Sequence, residues 1–474
     1  MPLLPKPDLC QGCPAYGDGK GYVPDLIRHN APIAVVAQEP GEDEEAGRRY
    51  LGHDTYEEAP HQPLIGRTGR MMDQTFLGLA GLNREDVSLG NTIRCRINHS
   101  NDFPIKKKNV QEIVRFCTNA HRHLRPEGVK LYVAMGEGAT YGLTKILYDF
   151  NGWRGYLLPY SPHGTPYTPH TDVWTPGPGE IPVLVTHHLA YLFREPEASL
   201  PAKRDWNKVQ SILDRTWPIP MSQIEDTQPD IWPRYSAFDT EFTTDKRRQL
   251  IRYSLATRDR RVWVVEAADM VGVTVQPKST VIMHNAPADL GYLRRILDLS
   301  SADITIEDTM YAHAVLWTGK VESEATKGKV GGAMSHALNF LGSMYARINR
   351  WKHLSDLAPR LYSGGDAIGT MDVWDTGLYG GIKGELARDP KSAWVYENLQ
   401  KPLIPIIMRA MATGIATNPE AVKVALQDIT MTQTGYVHQA QAYAGWPINL
   451  RSPKQLAYWL YTVEGLKARN RSRG

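Results

Sequence analysis

A short run near the middle of the chain, residues 237–242, reads Ala-Phe-Asp-Thr-Glu-Phe. Its acids, Asp239 and Glu241, are two residues apart, so a β-strand would project both carboxylates from one face. Paired carboxylates supply the hard oxygen ligands that Mg²⁺ prefers. An edge strand with a solvated face would place acids at the same spacing. The run therefore predicts a strand that carries either a metal site or a solvated acidic face.

Two later segments add acidic side chains. A short apolar strand over residues 280–283 is followed by the start of a helix that carries Asp289. In the run Tyr-Ser-Gly-Gly-Asp, Tyr362 and Asp366 are one helical turn apart and share a helix face. Asp308 precedes another helical stretch, and we interpret it as a structural cap and not as a ligand.

In order and type, these segments resemble the three motifs of the DEDD-type 3′-to-5′ exonucleases. The Tyr-x-x-x-Asp run resembles their tyrosine branch, which is fused to family A DNA polymerases. The resemblance implies a ribonuclease H-like domain that uses two Mg²⁺ or Mn²⁺ ions to hydrolyse phosphodiesters. It implies that Tyr362 orients the attacking water and that the metal-binding acids are Asp239, Glu241, Asp289 and Asp366. A decayed nuclease fold is the alternative.

The length and composition set wider limits. A chain of 474 residues is too long for one core and predicts two or three domains. A net charge of +3 permits DNA binding through local patches without requiring it. The sequence has no apolar run long enough to span a bilayer and no signal-peptide core, so we expect the protein in a reducing cytoplasm.

All four cysteines lie in the first quarter of the chain, and they are too few for a disulfide scaffold. Cys10 and Cys13 form a Cys-x-x-Cys pair, which alone is compatible with zinc, redox chemistry or no site. Together with Cys95 and Cys117 they make a four-thiolate set that could hold a metal or a cluster.

Apolar strands alternate with helical stretches in the same region, which is typical of a doubly wound parallel sheet. The predicted strands are Ile33–Ala37, Val87–Ile93, Lys130–Met135 and Pro182–Thr186. Ligands bind at the carboxyl ends of such strands, where the conspicuous polar residues of this sequence lie.

The loops at residues 38–45, 63–69, 90–92 and 188–194, together with the four cysteines, carry the motifs of a known family. They resemble the iron–sulfur uracil-DNA glycosylases of family 4 over residues 8–214. The resemblance implies an α/β/α glycosylase fold with a [4Fe-4S] cluster, or zinc as the second choice, on Cys10, Cys13, Cys95 and Cys117. The candidate residues of a uracil pocket are Gln38, Glu39, Gly41, Glu42, Leu64, Asn91, His188 and Arg194.

Within this pocket, Asn91 could read the uracil edge and His188 could stabilise the departing base. The sequence departs from the family pattern at two places. Residues 37–41 read Ala-Gln-Glu-Pro-Gly where the family has Gly-Glu-Ala-Pro-Gly, and Leu64 stands where the family has a stacking phenylalanine. Active uracil removal and a DNA-holding or uracil-sensing module therefore both stay open.

Two insertions interrupt the family pattern, at residues 48–62 and 153–179. The second is rich in aromatic residues such as Tyr156 and Tyr167, which could stack on unpaired bases. A surface excursion or a contact with another subunit is the interpretation that we favour. The lysines at 106–108 are a DNA-binding candidate, although such runs are usually solvated turns.

The remaining chain predicts a proline-containing linker over residues 215–234 and then the exonuclease domain. Helical residues 389–474 resemble the start of the thumb of a family A polymerase, and a generic helical bundle is the alternative. No palm or fingers pattern follows, so we expect polymerisation to reside in a separate chain or in a continuation of this one.

The sequence therefore predicts an α/β multidomain protein. Its segments are a glycosylase-like domain over 1–214, a linker over 215–234, an exonuclease domain over 235–388 and a thumb-like segment over 389–474. The leading interpretation is a proofreading exonuclease for a phage-type family A replication polymerase that binds single-stranded 3′ ends and primer-templates. The alternatives are a uracil-DNA glycosylase with an auxiliary nuclease and a non-catalytic accessory subunit that clamps DNA.

Overall fold

The structure is a computed structural model that divides into two compact units, Met1–Pro405 and Ile406–Gly474. We call residues 1–214 the amino-terminal domain and residues 235–388 the second domain, and both belong to the first unit. The division into units does not test these predicted boundaries. The described residues are 2–17, 20–97, 103–121, 127–161, 172–245, 248–297, 304–317 and 335–466.

The strands and helices of the described chain are numbered in chain order. The strands are β1 (Ile33–Ala37), β2 (Arg48–Gly52), β3 (Thr55–Glu58), β4 (Val87–Asn91), β5 (Leu131–Met135), β6 (Leu157–Pro159), β7 (Pro182–Thr186), β8 (Ile224–Glu225), β9 (Ile231–Trp232), β10 (Tyr235–Phe242), β11 (Leu250–Thr257), β12 (Val262–Glu266), β13 (Thr274–Val275), β14 (Ser279–Met283) and β15 (Ile304–Asp308). The helices are α1 (Glu42–Ala46), α2 (Arg67–Met71), α3 (Leu77–Leu79), α4 (Lys108–Ala120), α5 (Glu137–Thr144), α6 (Phe150–Trp153), α7 (Ser199–Trp206), α8 (Val209–Leu213), α9 (Ala286–Ile296), α10 (Thr309–Leu316), α11 (Leu338–Tyr345), α12 (Pro359–Met371), α13 (Gly381–Arg388), α14 (Pro390–Val395), α15 (Lys401–Thr413), α16 (Pro419–Ala444) and α17 (Pro453–Ala457).

The amino-terminal domain is built on a five-stranded sheet with the order β4-β1-β5-β7-β6. The first four strands are parallel, and β6 pairs antiparallel with β7 at one edge. Every residue of β4, β5 and β7 is buried, as expected for a parallel sheet covered on both faces. The predicted parallel sheet is therefore confirmed, and its strands end together, with Ala37 of β1 beside Asn91 of β4.

The second domain contains a six-stranded mixed sheet with the order β15-β14-β10-β11-β12-β8. Its central strand, β10, pairs parallel with β14 and antiparallel with β11. Helix α12 packs on β10 and β11. Glycine lets α12 pack closely on the edge of this sheet, because a Cβ at Gly364 would lie 3.0 Å from the side chains of Ile224 on β8 and of Met221. The packing brings the polar face of α12 to the acidic face of β10.

Residues 215–234, which we predicted to form a linker, contribute strands to the second domain. β8 hydrogen-bonds to β12, and β9 hydrogen-bonds to β13. The indole nitrogen of Trp217 donates to the carbonyl oxygen of Ala346 at 3.0 Å. The prolines of this segment therefore separate short strands that are held by long-range pairing.

The amino-terminal domain and the second domain share one apolar core, in which Tyr156 and Leu158 pack with Leu341 and Met344. A buried ion pair lies beside this core, with 2.7 Å between Arg154 Nη1 and Asp205 Oδ1 and side chains 2% and 0% exposed. Lys208 Nζ adds a bond across the boundary, because it donates to the carbonyl oxygens of Gly155 and Ser343. The two domains are thus packed as one body.

The two insertions have different structures. Residues 48–62 contain the exposed hairpin of β2 and β3. In the insertion at 153–179, residues 162–171 and with them Tyr167 lie outside the described residues. The predicted surface excursion is wrong for the first part of this insertion, which forms β6, and Tyr156 is completely buried. Burial against the second domain excludes Tyr156 from stacking on bases.

The second unit is helical, and its longest helix is α16, whose first turn is capped by the side chain of Asn418. Ser452 caps α17 with Pro453 at the first position, as the sequence predicts. The predicted helical character of the carboxyl-terminal region is confirmed. No helix in the described part of the chain combines the length and the hydropathy that a membrane span requires.

Candidate metal centre and nucleobase pocket

Three of the four predicted metal-binding acids meet where α12 crosses β10. Each of Asp239, Glu241 and Asp366 offers one ligand atom, and these atoms all lie within 4.8 Å of one another. The alternation of the strand puts Asp239 and Glu241 on one face, and α12 brings Asp366 over it. Within the described chain, Asp239 Oδ2 is buried and has no hydrogen-bond partner. A divalent cation bound here would satisfy that oxygen.

Asp289, the fourth predicted ligand, lies outside this group of three. It sits in the first turn of α9, where its carboxylate accepts a hydrogen bond from the hydroxyl of Thr240. Thr240 lies between Asp239 and Glu241 on β10, and its side chain leaves the strand on the opposite face. The carboxylate of Asp289 is still close enough to raise the pKa of Asp239.

The crowded acids disfavour one another's charged forms. Burial, followed by repulsion from Asp366 and Asp289, holds the pKa of Asp239 well above its ordinary value. Burial and Asp366 also raise the pKa of Glu241. Burial raises the pKa of Asp289 to about 7, against the lowering effect of its hydrogen bonds with Thr240. A bound divalent cation would relieve this repulsion, so the donor set suits Mg²⁺ or Mn²⁺.

A lysine that the sequence analysis missed lies within this acidic group. Lys352 Nζ is 2.7 Å from Asp366 Oδ2 and 3.0 Å from the hydroxyl oxygen of Tyr362. Burial, the largest single effect, lowers the pKa of Lys352, but Asp366, Tyr362 and Asp239 together outweigh burial and raise it. Burial and Asp366 raise the pKa of Tyr362 to about 12, so this residue keeps its hydroxyl proton.

Asp308 has the structural role that the sequence predicts. Its side chain caps α10 and also accepts a hydrogen bond from the backbone N–H of Ala286.

A second candidate site lies at the carboxyl ends of the parallel strands in the amino-terminal domain. Asn91 ends β4 and is buried, and in the described chain its Oδ1 has no hydrogen-bond partner. Gln38 follows β1, and its Oε1 accepts from the backbone of Gly138 at 3.0 Å. Gly136 lies between Gln38 and His188. A Cβ at position 136 would be 3.1 Å from the side chain of Gln38 and 3.2 Å from that of His188. These predicted pocket residues therefore share one edge of the sheet.

Glu44 also belongs to this site, although the sequence analysis missed it. Its Oε1 accepts from the backbone of Leu64 at 2.8 Å, and its Oε2 accepts from Asn91 Nδ2 at 3.3 Å. Burial raises the pKa of Glu44 to about 7, although these two hydrogen bonds lower it. A signal was present in the four consecutive acids of α1, since a short helix packed on a sheet must turn some of them inward.

His188 faces this site as a neutral ring. Burial, followed by the charge of Arg194, lowers its pKa to about 4. Its Nδ1 accepts from the backbone N–H of Ala190 at 3.2 Å, so the ring proton resides on Nε2. Nε2 is thereby a neutral hydrogen-bond donor.

The other predicted pocket residues have different surroundings. Glu39 accepts from the backbone of Ile97 at 3.1 Å, and Glu42 is exposed and pairs with Arg96 at 2.8 Å. Gly41 caps α1, and Arg194 lies over the ring of Tyr191. Leu64 is buried with a positive φ of 57°. The structure therefore unites Gln38, Leu64, Asn91 and His188 at the strand ends and turns Glu39 and Glu42 toward other partners.

The four cysteines line one pocket together with Lys6, Arg94 and His121. Burial, followed by Cys117 and Cys13, raises the pKa of Cys10 to about 11. Arg94 Nη1 lies 3.6 Å from Cys117 Sγ, which places a positive charge beside the thiols. The described cysteines do not form a group of three sulfurs within 4.8 Å of one another. The four thiols could together hold a metal ion or a cluster.

The family model for the uracil DNA glycosylase superfamily matches residues 24–214. The type-4 uracil-DNA glycosylase of Archaeoglobus fulgidus is 28% identical over 93 residues, which are 20% of this chain and 40% of that protein. The type-4 enzyme of Saccharolobus solfataricus is 23% identical over 208 residues, or 43% of this chain and 82% of that protein. The match to the first of these relatives thus spans less than half of its length.

Solved structures that resemble this chain include Brucella melitensis NrnC with bound Mg²⁺, at 16% identity and a TM-score of 0.28, with 40% of this chain and 91% of NrnC covered. The POL domain of Pol1 from M. smegmatis, in complex with a DNA primer-template and dNTP, has 16% identity and a TM-score of 0.28 and covers 48% of this chain and 36% of that chain. Because both TM-scores are low, we base what we propose for the second domain on the geometry of its acids.

The match to the family model leads to a conclusion for the amino-terminal part of the chain. Residues 24–214 are a domain of the uracil-DNA glycosylase superfamily.

Proposed function

We propose that the second domain is a metal-dependent 3′-to-5′ DNA exonuclease that proofreads for a family A DNA polymerase. The observation that supports this most is the meeting of Asp239, Glu241 and Asp366 within 4.8 Å, with a buried oxygen of Asp239 that lacks a partner among the described residues. The nearby hydroxyl of Tyr362 adds a group that can orient a water molecule. The amino-terminal domain would hold DNA beside this site.

The chain's own residues have separate tasks in this proposal. Asp239, Glu241 and Asp366 would hold one ion, and Asp289 would help to hold a second. Two bound ions would supply an activated water and would stabilise the departing 3′ oxygen. Tyr362, which keeps its proton, would donate or accept one hydrogen bond and so fix the direction of the attacking water.

We expect Asp239→Asn to lower the rate of digestion of a single-stranded 3′ end in Mg²⁺ by more than about a hundredfold. Loss of a ligand should exceed the ten- to hundredfold effect that is common when a supporting residue is lost. The matched control is Asp375→Asn, which makes the same chemical change in the same domain. Asp375 accepts hydrogen bonds from Tyr235 and Arg258 and is not one of the proposed metal ligands. Digestion by the Asp239 variant at the parent's rate would show that the metal assignment is wrong.

Uracil removal by the amino-terminal domain is a second candidate function, supported by the contacts of Glu44, Asn91 and His188. The amide of Asn91 could pair with the uracil edge once a base enters. Glu44 could activate a water as its carboxylate, and the neutral Nε2–H of His188 could donate to the departing base. If these groups do not act chemically, the same pocket remains a site for holding or sensing DNA.

If uracil is removed, we expect its release from an oligonucleotide to become faster as the pH rises from 6 to 8. Burial raises the pKa of Glu44 to about 7, so most Glu44 side chains are protonated at pH 6 and most are in the basic carboxylate form at pH 8. The rise should disappear in Glu44→Gln and persist in Glu57→Gln, an exposed glutamate of the β2–β3 hairpin. Alkaline cleavage at the abasic site provides the measurement. A parent that releases no uracil, or an unchanged profile in Glu44→Gln, would refute the activity.

The cysteine pocket would hold a [4Fe-4S] cluster through Cys10, Cys13, Cys95 and Cys117, and its role would be structural. Lys6 and Arg94, which line the same pocket, would offset the negative charge of a thiolate-ligated cluster. Zinc remains the alternative occupant.

We expect protein purified without oxygen to contain about four irons per chain, together with acid-labile sulfide. Cys117→Ser should lower the iron content and the thermal stability, because its sulfur comes from the buried face of α4. Metal analysis that finds about one zinc and no sulfide would contradict the cluster.

DNA and a polymerase module are the expected partners. Lys106 is 77% exposed at the start of the segment that leads into α4, where it could contact phosphate.

In the second unit, α16 exposes apolar side chains, including Val424 at 62% and Met431 at 68%. Such a face supports packing against a polymerase module, on a separate chain or in a continuation of this one.

A further inference from the structure

The segment Asn349–His353 lies in the connection between α11 and α12 and contacts the proposed metal centre. The indole Nε1 of Trp351 donates to Asp366 Oδ1 at 2.7 Å. The next residue, Lys352, approaches Asp366 Oδ2 at 2.7 Å and also contacts the hydroxyl of Tyr362. One dipeptide therefore holds both oxygens of a proposed metal ligand.

The indole of Trp351 is fixed by close packing. Its side chain is completely buried, and a Cβ at Gly342 or at Gly369 would lie 2.6 Å from its ring. Tyr156 of the amino-terminal domain meets the ring edge-on, with 6.4 Å between centroids and 86° between planes. Rotation of the indole away from Asp366 would therefore disturb two helices and the other domain.

The amino-terminal domain also holds the beginning of this segment. Asn349 Oδ1 accepts from the backbone N–H of Leu157 at 2.9 Å, and its Nδ2 donates to the carbonyl oxygens of Leu157 at 3.0 Å and Trp174 at 2.9 Å. Leu157 lies on β6, the edge strand of the parallel sheet. The side chain of Asn349 thus pairs with the open edge of that sheet in the way that another strand would.

Two further contacts surround the dipeptide. Arg350 bonds to the carboxylate of Asp149, and its guanidinium lies 4.4 Å from the centroid of Trp153. The ring of His353 packs against the same Trp153, with 5.3 Å between centroids. Residues on both sides of Trp351 and Lys352 are therefore held by the amino-terminal domain.

We propose that Asn349–His353 positions the metal ligand Asp366 and is itself held in place by the amino-terminal domain. The nuclease centre is then complete only when the two domains are packed together. Lys352 Nζ also lies 2.5 Å from Asp366 Oδ1, the oxygen that accepts from Trp351. Each carboxylate oxygen has two lone pairs, so once the ammonium of Lys352 moves aside, the bond from Trp351 leaves one lone pair of Oδ1 for an ion. Trp351 therefore acts on the ion only through Asp366, whose carboxylate it positions. The inference rests on the proposed exonuclease function and adds a requirement for the glycosylase-like domain.

The test uses the full chain and two measurements. The first is the affinity for Mn²⁺ without DNA, measured by electron paramagnetic resonance. The second is the Mn²⁺ concentration that half-maximal digestion of a single-stranded 3′ end requires. We expect Trp351→Phe, which keeps a ring and loses the N–H donor, to weaken Mn²⁺ binding roughly tenfold. Asn349→Ala alters only the contact between the domains and should shift both measurements in the same direction. If Trp351→Phe does not fold, as judged by its thermal transition, Asn349→Ala decides the matter.

Matched controls separate positioning from a general loss of packing. Trp232→Phe removes an equally buried indole, whose Nε1 donates to Ser236 Oγ at 3.1 Å. Asn339→Ala removes another bond between the domains, from Asn339 Nδ2 to the carbonyl oxygen of Gly152 at 3.3 Å. Both should bind Mn²⁺ as the parent does.

Unchanged Mn²⁺ binding in Trp351→Phe and Asn349→Ala, or equal weakening in all four variants, would overturn the inference. A parent that binds Mn²⁺ but digests no DNA would refute the exonuclease alone, because the comparison of variants would still decide the positioning role. A parent that binds no Mn²⁺ would overturn both.

Discussion

Like charges repel, and the second domain gathers carboxylates in a place where burial limits their screening by water. Asp239 and Glu241 come from one strand, and Asp366 comes from helix α12, which packs on that strand. Burial and mutual repulsion raise the pKa of Asp239, which means that folding opposes its charged form. Lys352 offsets part of this cost through Asp366. A bound divalent cation would offset more of it, so the arrangement that opposes folding without metal would also favour metal binding.

The apolar core shared by the two domains fixes the elements that carry the acids. The insertion that forms β6 belongs in sequence to the amino-terminal domain, and its Tyr156 packs against Trp351 of the second domain. The amino-terminal domain has its own site at the ends of its parallel strands, around Asn91 and Glu44. The protein therefore joins a glycosylase-superfamily domain to a cluster of carboxylates through a buried interface.

The sequence predicts local structure well and distant contacts poorly. The run at residues 237–242 lies in the strand Tyr235–Phe242, as predicted, because the residues that indicate this strand are adjacent along the chain. Lys352 and Glu44 were missed because their partners lie far away along the chain, and no spacing rule connects Lys352 to Asp366. The strand pairing of residues 215–234 was missed for the same reason, since their prolines and polar residues describe only the local chain. Aromatic content likewise could not distinguish a base-stacking surface from the buried interface at Tyr156.

We propose that Asp239, Glu241 and Asp366 bind a divalent cation. Crystals soaked in MnCl₂ and measured at the manganese absorption edge would locate that ion. We expect an anomalous-difference peak bonded to oxygens of these three carboxylates, with the ammonium of Lys352 moved away from at least one oxygen of Asp366. Crystals that show manganese elsewhere on the protein and none between these carboxylates would contradict it.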